Sequence, residues 1–349
     1  MEWRAQEELG HLTGVVVPAF FSAKPSDELV QRLLRMTLID SHHYLPPEQV
    51  WVVVDGDERT ARIASEVQQE LRARAGVTFH LHTLEHNRGK FLAVREGMRA
   101  LLRAHPDVQY LAVRDGDGDH AVTDLPTLVR AAAELAVVHG DTSVLIAGAR
   151  SSRHHPMGWL RGELESLLDG VTLDALAYRL AREGCVLDLT RAAAPGNLPD
   201  ISSGYKVYGR QAAERIFGDH PPHLASLSER DYWRYGPETV PFVEAILGGT
   251  AFGQTSRVTS DGQPTSSFSD FSMVHLYGEL LAWVFTRLEI PLAAAALLFD
   301  NRACRVLLRT AAEGAETLEA VRRRALERTA AYLGTCAPIP DARPLPTSM

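Results

Sequence analysis

Cysteine is scarce in this sequence of 349 residues. The three cysteines, Cys185, Cys304 and Cys336, lie far apart, and no two of them form a Cys-x-x-Cys pair. An odd number of widely spaced cysteines argues against a disulfide framework and is typical of a reducing compartment. Residues 1–8 also lack the apolar core of a signal peptide. We therefore expect a cytoplasmic protein.

A long uninterrupted apolar run is missing as well. The most apolar stretch, residues 276–299, contains Glu279, Arg287, Glu289 and Pro291. These residues interrupt it before the ~20 consecutive apolar residues that a membrane-spanning helix needs. We expect no membrane span and predict instead two helices that are divided at Pro291.

Positive charge is in deficit, and lysine in particular is rare. The formal net charge is -8, so the chain offers no basic field for a polyanion, and we expect no nucleic-acid partner. The lysines are Lys24, Lys90 and Lys206, whereas arginine is abundant. Because an ammonium and a guanidinium fork are not interchangeable at a phosphate, a lysine at position 90 is consistent with a phosphate contact. The partner that we expect is a small molecule whose charge is offset by a metal ion.

Strand-like and helix-like patterns alternate over the first 150 residues. The apolar runs that predict strands lie near residues 15, 51, 79, 110 and 145. Helical periodicity predicts helices at 26–39, 58–75, 90–104 and 124–139. Such alternation favours an α/β fold with a mostly parallel central sheet that helices flank on both faces.

The pattern changes after Arg150. A helical pattern extends to about Glu183, an irregular stretch follows, and the last third is helical from Phe271 to about Leu333. The proline-punctuated tail at 336–349 predicts disorder. A chain of this length can form one large domain, or one domain with a helical appendage.

Asp115-Gly116-Asp117 directly follows the apolar run at residues 108–113. Two carboxylates one residue apart, at the carboxyl end of a buried strand, can hold a hard divalent cation against a diphosphate. Which pair forms the motif is open by two residues, because Asp117-Gly118-Asp119 is a second pair of the same kind. Other polar loops should reach the same edge of the sheet, after Pro18, after Asp55 and at residues 88–90.

Other functions fit this acidic loop less well. A calcium EF-hand loop needs glycine at its sixth position and glutamate at its twelfth, where the chain has His120 and Pro126. A phosphatase would use Asp115 as nucleophile and Asp117 as acid/base, but such enzymes normally carry the motif near the N-terminus. A sugar nucleotidyltransferase or a dinucleotide-binding domain would have a glycine-rich loop after the first strand, which the sequence lacks.

In their order along the chain, these motifs resemble those of family 2 nucleotide-sugar glycosyltransferases with the GT-A fold, of the dolichol-phosphate mannose synthase and glucosyl-3-phosphoglycerate synthase type. The resemblance implies a GT-A domain over residues 1–255, with a nucleotide-binding half at about 12–150 and an acceptor half at about 151–255. It implies a helical extension at 256–335 packed on that domain. It also implies a hexosyltransferase that uses Mg2+ or Mn2+ to move a sugar from a UDP or GDP sugar donor to a small-molecule acceptor.

The resemblance assigns roles to individual residues. The positions that it places at the nucleotide, its phosphates or the donor sugar are Pro18, Ala19, Asp55, Arg88, Gly89, Lys90, Asp115, Gly204 and Lys206. The last two belong to residues 201–210, which resemble the Ser-Gly-Phe-x-x-Tyr segment of the superfamily, although an ordinary strand after a turn is the alternative. The implied metal ligands are Asp117, Asp115 and His275, the last of which follows a polar loop at 266–270.

Two carboxylates are candidates for the catalytic base. Tyr235-Gly236-Pro237-Glu238 resembles the Tyr-Gly-x-Glu near the acceptor in the phosphoglycerate-type enzymes, so Glu238 is the first candidate and Asp231 the second. In an inverting transfer such a carboxylate deprotonates the acceptor hydroxyl. A solvated carboxylate at a helix end is the alternative for either residue.

Some functional questions stay open at the level of sequence. The Gln-x-x-Arg-Trp element of the family is absent, so we do not expect processive polysaccharide synthesis. Non-catalytic nucleotide-sugar binding on the same fold and sugar nucleotidyl transfer are the alternatives to glycosyl transfer. The sugar, the base, the acceptor and the oligomeric state, with a homodimer among the options, are not determined.

Overall fold

The structure is a computed structural model, and it describes residues 5–192, 198–259 and 272–335. The polar loop predicted at 266–270 and the tail predicted at 336–349 lie outside the described residues. The strands within these ranges are β1 (Thr13–Ala19), β2 (Val50–Val54), β3 (His80–Thr83), β4 (Tyr110–Val113), β5 (Val144–Arg150), β6 (Lys206–Gly209) and β7 (Ala251–Arg257).

The strands form one sheet in the order β3-β2-β1-β4-β6-β5-β7. β6 runs antiparallel to β4 and β5, and the other neighbouring pairs are parallel. The described part of the chain therefore has an α/β fold with a mostly parallel mixed sheet, as the alternating pattern predicted. The five strands predicted in the first 150 residues correspond to β1 to β5.

The helices follow the signals of the sequence closely. Those of the described residues are α1 (Gln6–His11), α2 (Asp27–Leu38), α3 (Glu58–Ala75), α4 (Lys90–Ala104), α5 (Leu125–His139), α6 (His154–Met157), α7 (Trp159–Arg182), α8 (Arg210–Phe217), α9 (Glu229–Tyr235), α10 (Thr239–Leu247), α11 (Met273–Arg287), α12 (Leu292–Ala303) and α13 (Ala312–Tyr332). α3 shows why. It begins after Asp57, whose carboxylate accepts the N–H of Thr60, and it ends at Gly76 in the left-handed conformation. A capping acid and a terminal glycine fix both ends of such a helix.

Apolar residues pack on both faces of the sheet. In β1, Val16 belongs to one buried cluster, whereas Val15 and Val17 belong to another on the opposite face. Because successive side chains of a strand point to opposite faces, a strand that is covered on both sides is apolar throughout. This explains the continuous apolar run at the start of the chain.

The C-terminal helices α11, α12 and α13 share the cluster that contains Val16. Trp283 of α11 is fully buried within it. Pro291 stands immediately before α12, which confirms the predicted division at that residue. Within the described residues, no helix combines the length and the apolar character needed to cross a bilayer.

The strand order reverses direction between β1 and β4, the position at which open α/β sheets have a crevice outside the carboxyl ends of their strands. From β1 the chain passes outward through β2 and β3, and it then returns to the other side of β1 at β4. Ligands of open α/β sheets bind at such a reversal of direction. The segments that follow β1 and β4 therefore lie at the mouth of the crevice.

Candidate functional site

Buried polar contacts hold the loop that follows β4. Arg114, which is 1% exposed, donates Nη2 and Nε to the carbonyl oxygen of His120 at 2.7 and 3.2 Å. It also donates Nη1 to the carbonyl oxygen of Thr37 at 3.1 Å. The N–H of Asp115 donates to Nδ1 of His120 at 2.9 Å, so the proton of the neutral ring is on Nε2. Burial lowers the pKa of His120 well below its usual value, which keeps the ring neutral.

Two glycines allow this loop to approach the end of β1. A Cβ atom on Gly116 would lie 3.2 Å from the carbonyl oxygen of Pro18 and 3.6 Å from Cβ of Ala19. Gly118 has a φ of 83°, in the left-handed region that favours glycine. The structure thus places Pro18 and Ala19, two positions that the family resemblance assigns to the donor nucleotide, against the Asp115 loop.

Lys90 joins two carboxylates at the crevice. Nζ of Lys90 lies 2.8 Å from Oδ1 of Asp115 and 2.8 Å from Oε1 of Glu238. The three side chains are 30%, 25% and 24% exposed, so solvent or a ligand can reach them. Burial alone would lower the pKa of Lys90, but the Asp115 and Glu238 carboxylates outweigh it and raise that pKa above its usual value. Burial also opposes ionisation of Asp115, yet Lys90 holds the pKa of this carboxyl well below its usual range.

The carboxyl group of Asp117 lies in an unfavourable environment for a negative charge. Burial and the neighbouring Asp115 and Asp119 carboxylates raise the pKa of Asp117 to about 7. A bound divalent cation would relieve this repulsion. Mg2+ is commonly held by one or two carboxylates together with substrate phosphates, so the oxygen atoms of Asp115 and Asp117 are of the chemical type that suits Mg2+ or Mn2+. No group of three or more His, Cys, Asp or Glu side chains in the described ranges is arranged to hold a metal ion.

Asp55 fixes the loop that leads into α4. Asp55 is 3% exposed, and its Oδ1 and Oδ2 accept the N–H groups of Arg88 at 2.9 Å and Gly89 at 2.8 Å. Burial raises the pKa of Asp55 in spite of these hydrogen bonds. Since Lys90 is the next residue, Asp55 sets the point from which its side chain reaches the crevice. A direct contact between Asp55 and the nucleotide base stays a prediction.

Gly204 covers the pair formed by Lys90 and Asp115. A Cβ atom on Gly204 would lie 3.2 Å from Nζ of Lys90 and 3.2 Å from Oδ2 of Asp115. Contacts this short leave little room for a side chain beside the ion pair. The sequence placed Gly204 near the donor, and the structure brings it to the same place as Lys90.

Lys206 holds the turn that carries Gly204. Lys206 is 1% exposed, and its Nζ donates to the carbonyl oxygens of Ile201, at 2.9 Å, and Ser203. Burial lowers the pKa of Lys206 to about 8, although Glu238 opposes this shift. These contacts are with the protein's own backbone, so the contact with the donor that the sequence predicted for Lys206 stays a prediction.

A buried ion cluster lies behind this turn, and no sequence motif indicates it. Nη2 of Arg150, at the end of β5, lies 2.7 Å from Oδ1 of Asp200 and 2.8 Å from Oε2 of Glu165. Nη1 of Arg153 lies 2.6 Å from Oδ2 of Asp169. Burial raises the pKa of Asp169 to about 6, against the effect of Arg153. The cluster ties β5 and α7 to residues 198–203, which precede Gly204.

The predicted base Asp231 and the predicted metal ligand His275 contact each other. Nε2 of His275 lies 3.3 Å from Oδ2 of Asp231, and its Nδ1 lies 2.7 Å from Nη2 of Arg324. A guanidinium group only donates, so Nδ1 accepts and Nε2 carries the proton that faces Asp231. Both ring nitrogens of His275 are thus engaged, and these contacts lend no support to its predicted role at the metal. Of the two predicted bases, it is Glu238 that contacts Lys90.

A pocket of about 300 Å³ lies beside residues 87–89. The residues that line it are Asn87, Arg88, Glu229, Arg230, Trp233 and Arg234. Of these, sequence reasoning identified Arg88 alone. Asp231 of α9 was predicted as a base, but the part that α9 takes in this pocket was not predicted. Its signal in the sequence was local positive charge, since Arg88, Arg230 and Arg234 lie in two short segments.

The chain matches none of the protein-family models and none of the curated proteins with which it was compared. Its function is therefore argued from the contacts of the site. The structure brings Lys90, Asp115, Gly204 and Glu238 into direct proximity, next to the end of β1, whereas Asp231 and His275 form a separate contact.

Proposed function

We propose that this chain is a metal-dependent glycosyltransferase with the GT-A fold, which moves a sugar from a nucleoside-diphosphate sugar to a small acceptor. The observation that carries the proposal is the position of Lys90, whose ammonium bridges Asp115 and Glu238 at the crevice between β1 and β4. A cation beside acidic metal ligands, at the carboxyl ends of parallel strands, suits a diphosphate. A mostly parallel sheet flanked by helices supports the GT-A assignment as well.

The donor would bind across the loops that follow β1, β2 and β4. Lys90 would contact the diphosphate oxygens, and Asp117 with Asp115 would hold Mg2+ or Mn2+. When bound, the ion stabilises the negative charge of the leaving diphosphate. Pro18 and Ala19 would lie at the nucleotide base, and the absence of a side chain at Gly204 leaves room near Lys90.

The transfer step requires a proton acceptor if the anomeric configuration inverts. The bond between the anomeric carbon and the diphosphate oxygen breaks, and the acceptor hydroxyl oxygen forms the new bond to that carbon. Glu238 would take the proton of the hydroxyl. Glu238 is preferred to Asp231 because its carboxylate lies 2.8 Å from Lys90, next to the proposed diphosphate position, whereas Asp231 contacts His275.

One observation favours a second candidate, a non-catalytic nucleotide-sugar-binding protein. Lys90 is paired with both the proposed metal ligand Asp115 and the proposed base Glu238, so each carboxylate already has a cationic partner. The two candidates differ in turnover. If the chain is a transferase, Glu238→Gln should abolish release of nucleoside diphosphate from the donor and leave nucleotide affinity nearly intact. Loss of nucleotide binding in Glu238→Gln would contradict the role of Glu238 as base.

The proposal is tested first by thermal unfolding with UDP and with GDP, each with and without Mn2+. A nucleotide at about a hundred times its Kd should stabilise the protein by roughly 2.7 kcal/mol. We expect one nucleotide to stabilise it in a metal-dependent way, and Asp117→Asn to remove the metal-dependent part. Asp107→Asn, an exposed aspartate in the same region of the chain, is the matched control. Absence of stabilisation by either nucleotide would refute the donor site.

A further inference from the structure

The turn that carries Gly204 is held in place by side chains. Residues 198–205, all of which the structure describes, form neither a helix nor a strand. Asp169 of α7 holds the turn at Ser202, because its Oδ1 accepts the Ser202 hydroxyl at 2.6 Å and its Oδ2 accepts the Ser202 N–H at 3.3 Å. Two hydrogen bonds to one residue, through its side chain and its backbone, fix both its position and its orientation.

Asp169 also acts on the start of the turn, through Arg153. Nη1 of Arg153 lies 2.6 Å from Oδ2 of Asp169. Nη2 of Arg153 donates to the carbonyl oxygens of Leu198 at 3.1 Å and Pro199 at 2.8 Å. One carboxylate therefore holds the turn directly at Ser202 and, through Arg153, at its first two residues.

The surroundings of Asp169 are unfavourable for a carboxylate. Its side chain is 0% exposed. Burial, together with the Asp200 and Glu165 carboxylates, raises the pKa of Asp169 to about 6, against the effect of Arg153. Buried ion pairs often stabilise a fold no more than well-packed apolar side chains would. The conformation that its contacts select therefore accounts for Asp169 better than the stability that they add.

The turn delivers Gly204 to the pair formed by Lys90 and Asp115. Ser202 lies two residues before Gly204. A Cβ atom on Gly204 would lie 3.2 Å from Nζ of Lys90 and 3.2 Å from Oδ2 of Asp115. Because packing at such distances is close, even a small displacement of the turn changes how far the backbone covers Nζ of Lys90.

We propose that Asp169 is a positioning residue of the candidate site, which sets the place of Gly204 over Lys90 by fixing the turn at residues 198–203. Asp169 acts through the turn and not by contact with a ligand. Its effect on a diphosphate at Lys90 rests on the proposed function, whereas its effect on the Lys90 side chain does not. Without the Asp169 carboxylate, the turn moves more and the Lys90 ammonium becomes more accessible.

Acylation of lysine side chains by acetic anhydride, followed by mass spectrometry of proteolytic peptides, tests the proposal on the full, folded chain. The sequence has three lysines, so Lys90 can be compared within each protein with Lys24, which is exposed. We expect Asp169→Asn to raise the rate at Lys90 relative to Lys24 by about fivefold or more. The reason is that an asparagine amide carries no charge for Arg153 and has one acceptor oxygen where the carboxylate has two.

Two further variants test whether the effect runs through the turn. Asp174→Asn is the matched control, because Asp174 also belongs to α7 but pairs with Arg302, with 2.5 Å between Oδ2 and Nε. It should leave the relative rate at Lys90 unchanged. Ser202→Ala removes the hydroxyl that Asp169 accepts, so it should raise this rate, and its combination with Asp169→Asn should add little. Urea unfolding checks that each variant is folded during labelling, and Ser202→Ala decides alone if Asp169→Asn does not fold.

The proposal is overturned if Lys90 reacts at the wild-type rate in the folded Asp169→Asn and Ser202→Ala variants. It is also overturned if Asp174→Asn raises the rate as much as Asp169→Asn does, since the effect would then be a general loosening of α7.

A second measurement separates this proposal from the proposed function. Titration calorimetry with UDP and with GDP, in the presence of Mn2+, should show nucleotide binding about fivefold weaker in Asp169→Asn than in the wild type. An unchanged Kd would overturn the link between the turn and the diphosphate position. Failure of both nucleotides to bind the wild type would refute the proposed function, and the labelling of Lys90 would still decide whether Asp169 positions Gly204.

Discussion

Replacing Lys90 with methionine removes the charge that bridges Asp115 and Glu238 and keeps a long, unbranched side chain. Both carboxylates lie 2.8 Å from Nζ and are about a quarter exposed. Breaking a fully buried ion pair costs about 3–5 kcal/mol, and an exposed pair contributes about 0–1 kcal/mol. For this half-buried triad we expect Lys90→Met to lower the free energy of unfolding by about 2 kcal/mol at pH 7.

The stability lost in Lys90→Met should become smaller as the pH falls. In the wild-type protein Lys90 holds the pKa of Asp115 below its usual value of about 3.9, so the pairing stabilises the fold above that pH and is lost as the pH falls further. Without Lys90, burial would raise the pKa of Asp115 above that of the unfolded chain. The variant therefore gains stability relative to the wild type on acidification, and the difference between them narrows toward about pH 4.

Urea unfolding at pH 7 and at about pH 4, followed by fluorescence, measures both quantities. Lys24→Met is the matched control, because Lys24 is exposed and such surface substitutions change stability by about 0.5 kcal/mol or less. The ionised bridge is refuted if Lys90→Met is no more destabilising than Lys24→Met at pH 7. A difference from the wild type that stays constant with pH would refute the assigned ionisation of Asp115.

Three further predictions concern the segments that position the site. Gly56→Ala should lower the free energy of unfolding in urea clearly more than Gly76→Ala, which we expect to lower it by about 1 kcal/mol. Both glycines have a positive φ, 58° and 64°. A Cβ atom at Gly56 would lie 2.0 Å from the backbone carbonyl carbon of His86, whereas a Cβ atom at Gly76 would have no neighbouring atom within 4 Å. The pKa of Lys206 is about 8 in the fold and about 10.4 in the unfolded chain. The free energy of unfolding of the wild type should therefore rise relative to that of Lys206→Met as the pH increases between these two values. A difference between the two proteins that does not change with pH would contradict the lowered pKa of Lys206. Asp200→Asn should lower the free energy of unfolding by about 3 kcal/mol, because Arg150 loses a buried ionised partner. A loss of only about 0–1 kcal/mol, as for an exposed ion pair, would show that Glu165 alone is enough to neutralise Arg150.

Sequence patterns predict the local elements of this fold better than its long-range order. α3 was predicted at 58–75 and occupies those residues, because Asp57 and Gly76 mark its two ends. A strand within residues 201–210 was considered only as the alternative to a donor-site segment, and the antiparallel place of β6 between β4 and β5 was not predicted. Strand order depends on pairing between segments that are distant in the chain, and no local pattern reports it.

In the candidate site, too, sequence patterns predict local features better than contacts between distant segments. Lys90 and Asp115 were predicted to lie together because each follows a strand of one parallel sheet, and they are in contact. Glu238, 148 residues from Lys90, was proposed as a base, but its salt bridge to Lys90 could not be predicted. For Asp55 the sequence indicated the right loop but not its partners, since a residue's type does not reveal which way its side chain points.

Lys90 and Lys206 have one geometric property in common. Each brings separate acceptors to a single nitrogen: Asp115 and Glu238 at Lys90, and the carbonyl oxygens of Ile201 and Ser203 at Lys206. An ammonium group presents its donors around one atom, whereas a guanidinium group spreads them over a plane. An arginine at position 90 would have to separate acceptors that now lie 2.8 Å from the same atom. In a chain otherwise rich in arginine, lysine at these positions thus follows from convergent acceptors, and the proposed diphosphate would be one more acceptor at Nζ of Lys90.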